Sequence, residues 1–227
     1  MMSNRVRVLP IFLAALAAVA RTLGSDLDAP EQAFGRRPIQ LALAGSSPFP
    51  VLGTNGDVAF AATVNLPDLA DIYRLTTDDQ HRGQYCFDGE WRRFETRTIW
   101  LWVKMGPITI PVPRTLRFSA HGPAFETADG WVAVRYAAAG EIGAMEQFYR
   151  MGRAETYEQW REAMAMRAIP SFNFMYADAT GRIGYLYNAA LPRRAEGYDW
   201  SGCVPGDTSA NIWAHDDLID VPELIDP

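Results

Sequence analysis

Three histidines, His81, His121 and His215, are the only imidazoles in the chain, and their spacing limits the chemistry open to it. No HExxH and no other His-x-x-His pair occurs, which excludes a zincin-type zinc site. No GxSxG occurs, which counts against the nucleophile elbow of an α/β-hydrolase. No GxGxxG or GxxxxGK[ST] loop is present to cradle phosphates, which counts against nucleotide binding. The two cysteines, Cys86 and Cys203, lie far apart and form no CxxC. An oxidising compartment would let them pair, but two unpaired thiols satisfy the sequence equally well. Asn55, between Gly53 and Gly56, reads as a turn residue that bonds its own backbone. His121 precedes Gly122-Pro123 at a strand end and reads as structural. Generic motifs therefore leave the reaction open.

Any site must be positioned by the elements around it. The 227 residues are 48% apolar and include 7 Trp, 9 Tyr and 11 Phe, enough for one packed domain. The net charge of -6 argues against nucleic acid or anionic lipid as the main partner. Arg5 and Arg7 precede an apolar run from Val8 to Ala20 that ends in Ala18-Val19-Ala20. Residues 1–20 thus read as a secretory signal, which places the protein in the periplasm or outside the cell. A buried helix, or a start inside a longer gene with a cytoplasmic product, are the alternatives. The run is too short for a membrane span. Residues 21–48, with Asp28-Ala29-Pro30 and Gly45-Ser46-Ser47-Pro48, read as an irregular lead-in to a main body over 49–227.

That body is β-rich. Asp88-Gly89 between Gln84–Phe87 and Trp91 signals a hairpin. Strand-like runs cover Thr98–Val103, Ile108–Val112, Thr115–Phe118 and Trp131–Tyr136. One helix is expected over Glu141–Met151. A second opens at Thr156, with Gln159 three places on in capping-box spacing. Its residues Tyr157, Trp160, Ala163, Met164 and Ala168 mark a face laid on a sheet. Phe172, Phe174 and Tyr176 alternate, Asp178–Gly181 turns, and Ile183, Tyr185 and Tyr187 complete another hairpin. Strands, a helix pair and a hairpin predict an α+β layered fold.

Four segments, in order, resemble the β-subunit of the penicillin acylase family of N-terminal-nucleophile hydrolases. Gly53–Val64 is similar to the family's G-x-N-x-x-x-A-W-G-x-T strand, with Phe60 where Trp is usual. Asp68-Leu69-Ala70-Asp71-Ile72-Tyr73 is similar to D-x-x-D-x-[FY]. His121-Gly122-Pro123 resembles its H-G-P/N. Asn173–Asp178, Gly181–Tyr185, Pro192, Arg194, Gly197 and Pro205-Gly206 form the most specific match. The resemblance implies part of an αββα-type layered fold and hydrolysis of an N-acyl amide, such as a penicillin or an acyl-homoserine lactone. The family's nucleophile is an N-terminal Ser, Thr or Cys whose own α-amine is the base. By position, the backbone N–H of Val64 is one donor of the oxyanion hole. A structural calcium is implied at the carboxylates of Asp68 and Asp71 and the carbonyls of Ala70 and Trp200, a set of hard oxygen donors.

The chain departs from the pattern at its ends. Ser3-Asn4 stands at about the family's nucleophile distance from Gly53, but Arg5–Ala20 is signal-like and no Asn-Asp-Pro-His follows. Ser3 is retained as a candidate nucleophile on position alone. The family's oxyanion Asn is expected beyond Pro227. The expectation is an acylase portion that is inactive alone and takes a small N-acyl substrate, with a complementary acylase chain as a partner. The alternative is a non-catalytic subunit of the same fold that binds acyl ligands or completes a partner's site.

Overall fold

A computed structural model describes residues 40–43 and 50–226. Ser3, the signal-like segment 1–20 and most of the lead-in lie outside the described residues. Two six-stranded sheets and a helix pair make the frame.

The first sheet has the order β1 (Gln40–Leu43), β2 (Pro50–Thr54), β3 (Val58–Thr63), β11 (Ser171–Asp178), β12 (Ile183–Ala189), β14 (Glu223–Ile225). β1 falls within the segment expected to be irregular; antiparallel pairing to β2 makes it a strand. Helices α1 (Ala144–Arg153) and α2 (Tyr157–Ala165) cover this sheet. Trp160, Ala163 and Met164 of α2 are buried with Phe148 and Met151 of α1 against Val58, Phe60, Phe174, Tyr176 and Leu186, as the helical spacing predicted. Thr156 Oγ1 accepts from Gln159 N, while Gln159 Oε1 reaches back to Glu155 N. The cap thus spans one residue more than the usual box. α1 starts three residues later than expected, because Gly140 turns at φ +84° and Gly143 forms the N-cap.

The second sheet has the order β13 (Cys203–Pro205), β4 (Ala70–Arg74), β10 (Gly130–Tyr136), β9 (Pro123–Thr127), β8 (Ile108–Phe118), β7 (Glu95–Met105). β5 (Gln84–Phe87) and β6 (Glu90–Arg93) form the expected hairpin, with Asp88 and Gly89 at φ +51° and +77°. Both values suit the turn that matches strand twist. Tyr73, Tyr85, Phe87, Phe94, Ala133 and Val204 pack this second core. Leu69, Ala137, Ala190 and Trp213 form a third cluster, joining the ends of strands from both sheets.

β8 differs from its expected two pieces: it runs unbroken through Pro111 and Pro113. Ser119 and Gly122 exchange both backbone bonds, so the alternation turns the nitrogens of residues 111 and 113 away from β7. Neither proline removes a bond from the β7–β8 ladder, which is why the strand survives.

Candidate active site

Val64 leaves the end of β3, which runs between β2 and β11. Its direction follows from the ladder. Ala179 N donates to Asp57 O and Asn55 N donates to Val58 O, so residues 59, 61 and 63 bond toward β11 and residues 58, 60 and 62 toward β2. Carried one residue on, the alternation points the Val64 N–H to the β2 side. Val64 is 75% exposed, so the residue sits at the surface rather than in the core.

Two residues without a role in the motifs hold the chain on either side of this N–H. Asn173 pairs with Thr63 across the ladder, and its Nδ2 donates to Val64 O and to Thr63 Oγ1, each at 3.3 Å. Tyr185 Oη donates to Asn173 Oδ1 at 2.7 Å, which fixes the amide's orientation. Asn65 is buried, and its Nδ2 donates to Asn188 O at 3.0 Å. The turn is therefore clamped on both sides of Val64. The signal that could have found these residues was their place inside the longest motif match, opposite the first one.

Asn55 anchors the start of the same strand. Its Oδ1 accepts from Asp57 N and Val58 N, the expected turn role. Its Nδ2 also donates to Gly152 O and Ala154 O, at 3.2 and 2.6 Å, tying the hairpin to the end of α1. His121 is buried and stacks on Tyr73 at 4.0 Å, with Nε2 bonded to Gly206 O at 3.0 Å. Burial, with Arg135 nearby, pushes its pKa down; the bond to Gly206 opposes that shift. A Cβ on Gly122 would stand 2.3 Å from Val134 O, so the His-Gly pair is a packing device.

Of the expected calcium set, Asp68 and Asp71 converge on a single cation, the guanidinium of Arg194. Arg194 Nε donates to both oxygens of Asp71, at 3.1 and 2.9 Å. Its Nη2 is 3.1 Å from Asp68 Oδ2 and donates to Asp68 O at 3.1 Å. Trp213 Nε1 donates to Asp71 Oδ2 at 2.7 Å. The ring of Trp200 lies 5.7 Å from the guanidinium carbon, and Ala70 opens β4 beside them. A dication would have to stand beside this fixed positive charge and compete for carboxylate oxygens that already accept hydrogen bonds. Among the described residues no group of three or more His, Cys, Asp or Glu converges to hold a metal. As arranged, the Asp68 and Asp71 carboxylates are occupied by Arg194 and Trp213 and do not stand open to calcium.

Cys86 and Cys203 are free thiols. A cleft of about 580 Å³ is lined by Ala137, Glu141, Arg161, Arg167 and His215 among others, and includes neither Val64 nor the Asp71 cluster. No helix among the described residues is long and apolar enough to cross a membrane.

A family model described as penicillin amidase matches residues 41–227. Penicillin G acylase of Escherichia coli is 29% identical over 174 residues, covering 72% of this chain and 20% of that protein. The acyl-homoserine lactone acylase QuiP of Pseudomonas aeruginosa is 27% identical over 181 residues, covering 67% of this chain and 21% of that protein. The chain thus spans about a fifth of the length of these relatives. A thermostable penicillin G acylase from Alcaligenes faecalis shares the fold, with a TM-score of 0.70 at 23% identity, over 85% of this chain and 37% of that one.

Proposed function

The chain belongs to the penicillin amidase family, and from that premise we propose that it is the part of an N-acyl amide hydrolase that supplies the backbone oxyanion donor. The observation carrying this reading is the Val64 N–H at the exposed end of β3, directed to the β2 side by the ladder, with Asn173, oriented by Tyr185, holding the Thr63 hydroxyl and the Val64 carbonyl on either side of it. In amide hydrolysis the attacked carbonyl becomes an oxyanion. A donor fixed beforehand stabilises that charge without reorganising at the moment of reaction. The described residues near Val64 supply the donor and its support. Ser3 is the candidate nucleophile within this sequence, and a complementary acylase chain is the other proposed source. The substrate is a small N-acyl amide; the names of the two relatives point to a penicillin or an acyl-homoserine lactone.

A specific surface favours completion by a second polypeptide. The β7–β8 ribbon is apolar on both faces. Leu101, Val103, Met105 and Ile108 share one face with Val112 and Ile110; Trp100 and Trp102 share the other with Pro113 and Pro111. Trp102 is 72% exposed and Trp100 61%. β7 is also a sheet edge, and the same alternation leaves the backbone groups of Trp100 and Trp102 facing outward. A surface of this kind marks an interaction site. The matched part of this chain spans about a fifth of each relative's length, and we propose that the remainder of such a protein supplies the cover.

The test is hydrolysis of a chromogenic phenylacetyl amide and of an acyl-homoserine lactone. The chain is assayed alone and after co-expression with a family polypeptide carrying the Ser-Asn-x-Trp segment. Turnover only in the combination supports the reading. Turnover by the chain alone that vanishes in Ser3→Ala assigns the nucleophile to this chain. Saturable binding of arylacetic acids with no turnover in either form would make it a non-catalytic binding protein.

A further inference from the structure

We infer that Arg194 is a resident cation that takes the place of a divalent metal at the Asp68–Asp71 segment, so that this corner of the fold closes without calcium. The inference stands on geometry and is independent of whether the chain takes part in hydrolysis. Asp71 is the most demanding group: its side chain is 1% exposed, and a carboxylate so buried needs a full positive charge and satisfied oxygens. Arg194, 18% exposed, supplies the charge through Nε and donates to both oxygens, and Trp213 Nε1 adds a third donor. The same guanidinium reaches Asp68 twice, at the carbonyl and the carboxylate. Asp68 is 61% exposed, so the excess negative charge of the cluster lies on the carboxylate that water can reach.

The guanidinium also does the joining that a bound ion would do. It links the entry of β4 to the segment after β12, and through Asp71 to Trp213 in the third core cluster. Trp200 covers it from the side, its own Nε1 held by Ala195 O at 2.9 Å. A planar fork with fixed donors suits this mixture of carboxylates and a carbonyl; a lysine would offer only a point charge.

The experiment uses the full chain and two readouts. The first is terbium luminescence sensitised by tryptophan, with Tb³⁺ as the calcium probe and Trp200 and Trp213 as nearby donors. The second is thermal unfolding in EGTA and in millimolar Ca²⁺. The wild-type chain is expected to give no saturable sensitised emission and the same Tm in both buffers. Arg194→Gln is expected to lower Tm by roughly 10 °C, because it strands a buried carboxylate. The inference is overturned if the wild-type chain shows saturable emission that Ca²⁺ displaces and Asp71→Asn removes, if EGTA lowers its Tm, or if Arg194→Gln unfolds at the wild-type temperature. Should Arg194→Gln fail to fold, the two wild-type measurements decide alone.

Discussion

Replacing Asn55 by aspartate changes one NH₂ to an oxygen, yet it should be among the more damaging isosteric changes in the chain. The variant keeps the two acceptor bonds that shape the turn, from Asp57 N and Val58 N. It loses both donor bonds to Gly152 O and Ala154 O. Asn55 is 9% exposed, so water does not readily replace them. Each carbonyl left without its donor costs about 1–3 kcal/mol, or roughly 2–6 kcal/mol for the pair. For a chain of this length that is a fall in Tm on the order of 10 °C. The carboxylate also faces two carbonyl oxygens, which disfavours its charged form and raises its folded pKa. The unfolded chain then binds fewer protons than the folded one across the window between the two pKa values. The variant's deficit relative to wild type therefore shrinks as pH falls, because the protonated acid can donate once. The assay is urea unfolding of Asn55→Asp, Asn55→Ala and wild type at several pH values from about 7 to about 4. A variant within about 0.5 kcal/mol of wild type at pH 7, or a deficit that stays constant in acid, would refute the clamp and leave Asn55 as a turn residue only.

Other expectations follow from the same structure. His121 is buried with its pKa held below the usual histidine range, so folding stability should fall as pH drops below about 6.5, where the unfolded histidine takes up a proton first; His121→Gln, followed by chemical unfolding between pH 7 and 5, should flatten that slope. Trp100→Ser with Trp102→Ser should leave Tm almost unchanged, since both rings are exposed, while weakening co-purification with a complementary acylase polypeptide; a large loss of Tm would mean that the ribbon is packed within the chain.

The parts legible in the sequence were those set by local chemistry. The Asp88-Gly89 turn follows from two residues that tolerate positive φ, and α2 follows from its cap and the spacing of Trp160, Ala163 and Met164. The unbroken β8 was not legible, because a proline reads as a break until the register shows which edge its nitrogen faces. At the site, motif order located Val64, Asp68 and Asp71 but not their partners. Asp71 meets Arg194 and Trp213 across 123 and 142 residues of chain, and Asn173 meets Val64 across 109. Such contacts follow from strand pairing and from the third core cluster, which no short window of sequence contains. The resemblance named Asp68, Asp71 and Arg194 separately, and only the fold shows that the guanidinium of Arg194 meets both aspartates.

The central claim is that the Val64 N–H serves as an oxyanion donor in amide hydrolysis. Val64→Pro removes that one hydrogen while sparing the fold, since the side chain is exposed, the N–H lies off the β11 ladder, and Thr63 is already in the extended conformation that precedes proline. The measurement is kcat and KM for a chromogenic phenylacetyl amide with the assembled acylase, this chain together with the polypeptide that supplies the nucleophile. The expected result is a fall in kcat of about 10²–10³-fold with KM little changed. A Val64→Pro enzyme that keeps the wild-type kcat contradicts it.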